Sequence, residues 1–380
     1  MSEKEISRRD FLKGMAGAAA GIAVSVTLPK ITRADSLAAR IGNVLVKEEK
    51  ISYTDSLGRE IVLPEKILSV IPSGIYAQTL LIMLCPDKLA ALARPLMAED
   101  IENYEKAGLE SLVHLIETGE MFPDDYHDNI NPEKVKEAGK IVILDVGSPK
   151  GGQCEKFEVL EDETGCVTVF IDGTVGNLSR AFRELGGLLG CEDRAEELAG
   201  YVDTIWKEIG ECREKISEDV HIFYAGGPHG TSRHTGYSFQ NEVIRMLGFT
   251  PVVVMTSYDE KQVDIQSLKE MKTDYIIFND WDCYENIMNM KGEDYKIWGE
   301  VEAIKNGAFV VAPGLLQSWI GTPLIQMIGA LWIGNVIMPE LYNYNIAGKV
   351  QEFYRIIFNL QLGIEDIFDL LGYASMKTED

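Results

Sequence analysis

The chain has 380 residues, of which 60 are acidic and 36 basic, for a formal net charge of -24. That balance argues against a nucleic-acid binder and against attraction to anionic lipid, while the length gives core enough for two domains of ordinary size. Six cysteines without CxxC spacing and five histidines without an HExxH pattern disfavour an enzyme built on a histidine-ligated metal.

The first segment, SRRDFLK, places Arg8 and Arg9 just before Phe11 and Leu12, with Lys13 following. This is the twin-arginine export pattern. Gly14 to Leu28 is a weakly apolar stretch rich in Ala and Gly, too short to span a bilayer comfortably. Residues 1–34 therefore read as a twin-arginine signal peptide, with Thr32 and Ala34 at the small-residue positions of a cleavage site, and residues 35–50 as a polar leader. Export by the twin-arginine machinery delivers the chain to the periplasm or another extracytoplasmic space; an uncleaved signal would tether it to the membrane. No lipobox cysteine follows the apolar stretch.

ISYTDSLGREIVLP reads as a hairpin turning at Gly58. Apolar runs at 67–73, 89–93, 141–147 and 166–173 then alternate with helical segments, the pattern of a parallel sheet covered by helices. About forty residues of helical periodicity follow with no strand signal, broken near Gly190, where CEDRAEEL opens a new helix with acidic residues in its first turn. The alternation restarts at 220–227, 251–255, 274–280 and 308–314, and the C-terminal part is helical. The organisation expected is an N-terminal α/β lobe over 51–175, an interlobe helical region over 176–217 and a C-terminal α/β lobe over 218–380. The cysteines read as buried thiols, with a Cys154 to Cys166 disulfide allowed outside the cytoplasm.

In open α/β sheets ligands bind beyond the carboxyl ends of the strands. The loops there are PSGIYAQ, ETGEMFPDDYHDN, AGGPHGTSRHTGYSFQ, NDWDCYEN and PGLLQSWIGTP. Tyr76, Tyr237, Trp281, Tyr284 and Trp319 would line one cleft and suit a bulky, partly flat ligand, as would Phe122 and Tyr126. Arg233, His234 and Tyr237 offer a cation, an imidazole and a phenol within five residues, able to meet an anionic chelate or ligate iron. No GxSxG, phosphate loop or GxGxxG follows a strand, and no catalytic residues are assigned.

The order of segments resembles the periplasmic substrate-binding proteins of iron-siderophore, haem and cobalamin ABC importers. YTDSLGREIVLPEKILSVIPSG resembles the family's opening hairpin and first strand. NINPEKVKEAGKIVIL resembles the element before its third strand, and TVGNLSRAFRELGGLLGCEDRAEELAGYVDTI its interlobe region. TGYSFQNEVIRMLGF, VDIQSLKEMKTDYIIF and IWGEVEAIKNGAFVVAP continue the match, which covers roughly residues 51–360. The resemblance implies an α/β fold of two Rossmann-like lobes joined by a long interlobe helix, the helical-backbone, metal-chelate-binding type. It implies a ligand in the cleft (an iron chelate, haem or cobalamin), no intrinsic cofactor, no reaction, and delivery to an ABC importer permease. Glu133 and Glu242 match the carboxylates by which each lobe docks on the permease. Many siderophore binders carry arginine near the loop that here reads SWIGTPL; this chain has none there, which counts against a strongly anionic ferric chelate and leaves Arg94 and Arg233 as cleft cations. Two other readings stay open: an exported enzyme or cofactor-handling protein on the same scaffold, and an accessory protein held at the membrane by its signal.

Overall fold

The structure, a computed structural model, describes residues 50–122, 130–139, 142–227, 229–231, 239–252, 265–289 and 293–375. The described chain opens with the expected hairpin, β1 (Lys50–Thr54) antiparallel to β2 (Glu60–Pro64), with Gly58 at φ +79° in the turn. Asp55 fixes that turn, its carboxylate accepting from the Leu57 and Arg59 amides.

The first sheet is parallel, in the order β3 (Val70–Pro72), β6 (Val142–Gly147), β7 (Val167–Asp172). A second parallel pair, β4 (Ala91–Leu92) with β5 (Ile116–Glu117), joins it through a bridge from Val70 to Leu89. All six residues of β6 are buried, as expected of a strand covered on both faces. The covering helices on this side are α1 (Ile75–Leu84), α2 (Ile101–Lys106), α3 (Pro132–Ala138) and α4 (Gln153–Thr164). α1 is apolar nearly all round, and nine of its ten residues are buried.

The connecting segment is two helices, α5 (Leu178–Leu189) and α6 (Glu192–Arg213), the latter 22 residues long. Leu178, Ala181, Phe182, Leu185 and Leu189 form the buried stripe of α5. Gly190 ends α5 in a left-handed conformation at φ +66°, which places the break where the sequence puts it. The two helices then pack face to face, so closely at Gly186 that a Cβ there would lie 2.3 Å from the Ala195 Cβ.

The second sheet is also parallel, in the order β11 (Phe309–Val311), β10 (Tyr275–Phe278), β8 (His221–Ala225), β9 (Thr250–Pro251). Its helices are α7 (Phe239–Met246), α8 (Ile265–Glu270), α9 (Trp281–Asn289), α10 (Glu293–Trp298) and α11 (Glu302–Lys305). A short hairpin, β12 (Gly314–Leu315) and β13 (Gln317–Ser318), leads to α12 (Gln326–Ile337), α13 (Ile346–Phe358) and α14 (Ile364–Ser375).

α13 does not stay with the second sheet: Arg194 at the start of α6 donates to the carbonyls of Ile356 and Ile357 and also to that of Met83 at the end of α1. One hydrophobic core accordingly runs from Leu144 and Val169 of the first sheet through Val202 and Ile205 of α6 to Ile277 of the second and Phe353 of α13. Among the described residues no helix is long and apolar enough to cross a membrane.

The Cys154 to Cys166 disulfide that the sequence allowed is corrected by the helix between them. Cys154 is the second residue of α4 and Cys166 lies beyond its end, so about 18 Å of helix separates them, far beyond disulfide reach.

Candidate ligand-binding site

The loops beyond the carboxyl ends of the first sheet are tied to one another by a buried polar network. The Ser73 hydroxyl and the Gln153 amide both donate to Asp145, a buried carboxylate on β6, and Gln153 Oε1 accepts from the Lys150 amide at 3.0 Å. The Met121 amide donates to the Ser73 carbonyl, and the Gly173 amide to that of Gly147. Satisfied in this way, buried polar groups fix a unique loop arrangement instead of costing stability.

Glu120 is the centre of this edge. Its side chain is 3% exposed, accepts from the Ile75 amide at 2.6 Å at the start of α1, and meets Arg94 at 2.5 Å. A carboxylate at a helix N-terminus offsets the unpaired amides there. Arg94 is itself held by Gln78, which accepts from the Ala93 and Arg94 amides and donates to the Arg94 carbonyl. The next two residues collect two further cations. Lys156 reaches the Met121 carbonyl at 3.5 Å, and the ammonium groups of Lys150 and Lys156 each lie 4.6 Å from the centre of the Phe122 ring. Segment 120–122 thus gathers three cations, Arg94 paired with Glu120 and the two lysines at the half-buried Phe122 ring. Sequence reasoning found Arg94 and missed Lys150 and Lys156, which stand in polar surroundings with no motif and meet only through the fold.

Several of the expected contact residues have other tasks. Tyr76 is buried and donates its hydroxyl to the Gly173 carbonyl; burial, then the nearby Glu242 and Asp172, push its pKa well up. It is a floor under the loops. Gly173 must be glycine to admit it, since a Cβ there would sit 3.0 Å from the Tyr76 hydroxyl and 2.4 Å from Val146. Trp319, expected to face a ligand, is instead wholly buried, with its indole N–H donated to the Tyr354 hydroxyl at 2.9 Å.

Tyr284 stacks on Phe309 and edges Phe278, so its ring is spent on the second sheet's own packing. Trp281 is half-buried at the first turn of α9, edge-on to Tyr284 at 5.4 Å. Arg233, His234, Tyr237 and Tyr126 lie outside the described residues.

The two halves meet beside this site. The β12–β13 hairpin crosses to the first half, where the Leu316 amide donates to Asp100 at 3.1 Å and Gln317 donates to the Thr79 hydroxyl at 2.7 Å. Leu316 is buried at φ +68°, a left-handed conformation costly for a leucine and held by these contacts. The loop that the sequence assigned to the ligand therefore joins the halves instead. From α7, Glu242 accepts from the Val175 amide at 3.4 Å. This corrects its expected place on an outer docking face, because the carboxylate is turned inward against the turn before α5. Glu133 does face outward: its side chain is 81% exposed and pairs with Lys136, while Asn131 caps the helix it begins.

Burial raises the Glu242 pKa, helped by Asp172 and opposed by the Val175 amide and Arg245. The folded chain then holds this proton more tightly than the unfolded one, so the contribution is present at low pH and lost as pH rises from the ordinary value of 4.5 through the raised one. Urea unfolding from pH 4.5 upward should show wild-type stability declining relative to Glu242→Gln. Parallel curves would contradict this environment for Glu242.

Two parallel sheets covered by helices and joined by a long helix, with the loop after β11 reaching across to the first half, make a two-part α/β architecture. Residues 148–314 match the family model described as periplasmic binding protein, and residues 5–25 match the twin-arginine translocation pathway signal sequence.

The fold is that of the ABC solute-binding proteins. An ABC transporter solute-binding protein from Sulfurospirillum deleyianum superposes with a TM-score of 0.72 at 22% identity, covering 84% of this chain and 99% of that one. The molybdate-bound periplasmic binding protein MolA of Haemophilus influenzae gives 0.67 at 14% identity, over 82% and 99%. CeuE of Helicobacter pylori with Ni(II) bound gives 0.64 at 14%, over 84% and 99%. No curated protein matches the chain. The chain thus combines a twin-arginine export signal, a match of residues 148–314 to the periplasmic binding protein model and the fold of solved ABC solute-binding proteins.

Proposed function

We propose that this protein captures an anionic iron chelate of the siderophore type and delivers it, unchanged, to an ABC importer permease. The observation that carries the reading is the pair Lys150 and Lys156 at Phe122, with Arg94 paired to Glu120 two residues away, a partly exposed group of positive charges on a chain whose net charge is -24. On a strongly acidic protein, cations gathered at the strand-end loops make a local positive field that favours an anionic ligand there. The half-buried Phe122 and Trp281 supply flat apolar surface for the organic part of a chelate. Lys150 and Lys156 answer the objection raised by the missing arginine in the SWIGTPL loop. Glu133, exposed at the start of α3, is the contact for the permease on the first half. One structural relative of this fold, the siderophore-binding protein BauB, is bound to two molecules of acinetobactin and ferric iron, at a TM-score of 0.53 and 14% identity.

The test is a thermal-melt panel on the exported form with ferric siderophores, haem, cobalamin, molybdate and free iron. A ligand present at a hundred times its dissociation constant adds about 2.7 kcal/mol to stability, a clear shift in a single transition. A response to anionic ferric chelates is the expected result. A response to haem or cobalamin alone would replace the proposed cargo class, and a response to none, by protein shown to be ligand-free, would remove the binding reading.

A further inference from the structure

Cys85 and Cys191 are 106 positions apart in the sequence, yet the fold brings them together at one corner. Cys85 ends α1, and Cys191 is the residue that opens α6. Arg194, one turn into α6, holds this corner by donating to the Met83 carbonyl two residues before Cys85 and to the α13 carbonyls of Ile356 and Ile357. The Arg194 bonds bring the end of α1 against the start of α6, and at that corner the two thiols are neighbours, Cys85 buried and Cys191 half-buried, with Lys88 close enough to act on both. The remaining four cysteines include none so placed against another. Cys166 is directed to the Gly139 carbonyl, Cys212 to the Leu341 carbonyl and the Tyr344 hydroxyl, and Cys283 to the Ala225 carbonyl, while Cys154 is a helix length from Cys166.

We propose that Cys85 and Cys191 form a disulfide once the chain has left the cytoplasm. The chemistry of the corner assigns the two sulfurs different roles. Cys191 stands at a helix N-terminus, where the amide dipoles favour a thiolate, and the hydrogen bond from Cys85 followed by Lys88 draws its pKa down. Being half-buried, it is also the sulfur an oxidant can reach. With an external disulfide R–S–S–R as oxidant, the Cys191 thiolate attacks one sulfur, the S–S bond breaks, and R–S⁻ leaves. Cys85 then gives up its proton and attacks the Cys191 sulfur of the mixed disulfide, expelling the second R–S⁻. The protein loses two electrons and two protons, and the oxidant becomes two R–SH. The result staples the end of α1, which carries Gln78 and Thr79 of the site, to the start of the connecting helix. It closes a loop of roughly a hundred residues, in the range where constraint of the unfolded chain is greatest.

The experiment takes the reduced exported protein, incubates it with oxidised glutathione, unfolds it in an alkylating reagent and maps the peptides. The expected result is a loss of two of the six free thiols and a linked peptide pair containing Cys85 and Cys191. The melting temperature should rise by several degrees on oxidation and return when reductant is added. Cys191→Ser and Cys85→Ala should each keep all their remaining thiols under the same oxidant. Alkylation of all six thiols in the treated wild type, or a linked pair joining any other cysteines, would overturn the assignment. Because the wild-type map needs no variant, a substitution that prevents folding does not blunt the test, and the outcome is independent of which ligand the cleft takes.

Discussion

Trp319→Ala is expected to lower the stability of the folded chain by about 3–5 kcal/mol, the cost of emptying a fully buried aromatic site. The ring is edge-on to Trp332 at 6.2 Å, and its indole N–H is the donor to Tyr354, which in turn donates to the Leu315 carbonyl at 2.9 Å. Little can move in to fill the space. Gly329 of α12 lies so close beneath that a Cβ there would be 2.0 Å from the Trp319 carbonyl oxygen, so the helix is already at its nearest approach. The variant also releases the hairpin whose Leu316 and Gln317 hold the two halves together. Urea unfolding should give a lower midpoint with an unchanged slope. Trp319→Phe should lose less, because most of the packing remains and only the indole N–H is gone. A loss below about 1 kcal/mol for the alanine variant would show that the residue is not the buried pillar described here.

Removing both lysines around Phe122, in Lys150→Ala/Lys156→Ala, is expected to weaken binding of an anionic ferric chelate about 100-fold. Two charge-assisted hydrogen bonds at about 1.5 kcal/mol each amount to about 3 kcal/mol, and each 1.4 kcal/mol is tenfold. Folding should hardly change, since both lysines are partly exposed and the contact of each with the ring is worth about 0.5–1 kcal/mol. Titration calorimetry separates this from a general loss of the site, because affinity for an uncharged chelate should survive. Wild-type affinity for the anionic ligand should also fall as salt rises, with a shallower dependence in the double variant. An unchanged dissociation constant would place the ligand elsewhere.

Both results concern features unequally visible in the sequence. The buried strands were legible, because VILDV and VTVFID are apolar runs rich in β-branched residues, and the structure pairs them side by side in the first sheet. The helix break at Gly190 was legible for a similar reason, an αL residue being written as glycine. Two-residue strands such as Ile116–Glu117 and the β12–β13 hairpin carry no periodicity and exist only through their partners.

The site was the least legible part. Trp319 reads as an aromatic in a loop, and only the arrival of Trp332 and Tyr354 from later helices turns that loop into core. Glu242 reads as an exposed helix-start carboxylate until Val175 is placed against it. Lys150 and Lys156 come together at Phe122 while Asp145, Ser73 and Gln153 hold the loop after β6, a long-range arrangement that no local pattern records.

The most direct measurement of the central claim is equilibrium dialysis of the exported protein against an anionic ferric siderophore, followed by release of the bound fraction in denaturant and chromatography of what is recovered. A solute-binding protein should retain one ligand per chain at saturation and return it with its iron and its organic ligand unaltered. Recovery of a chemically changed chelate, or of no chelate above the buffer concentration, would contradict it.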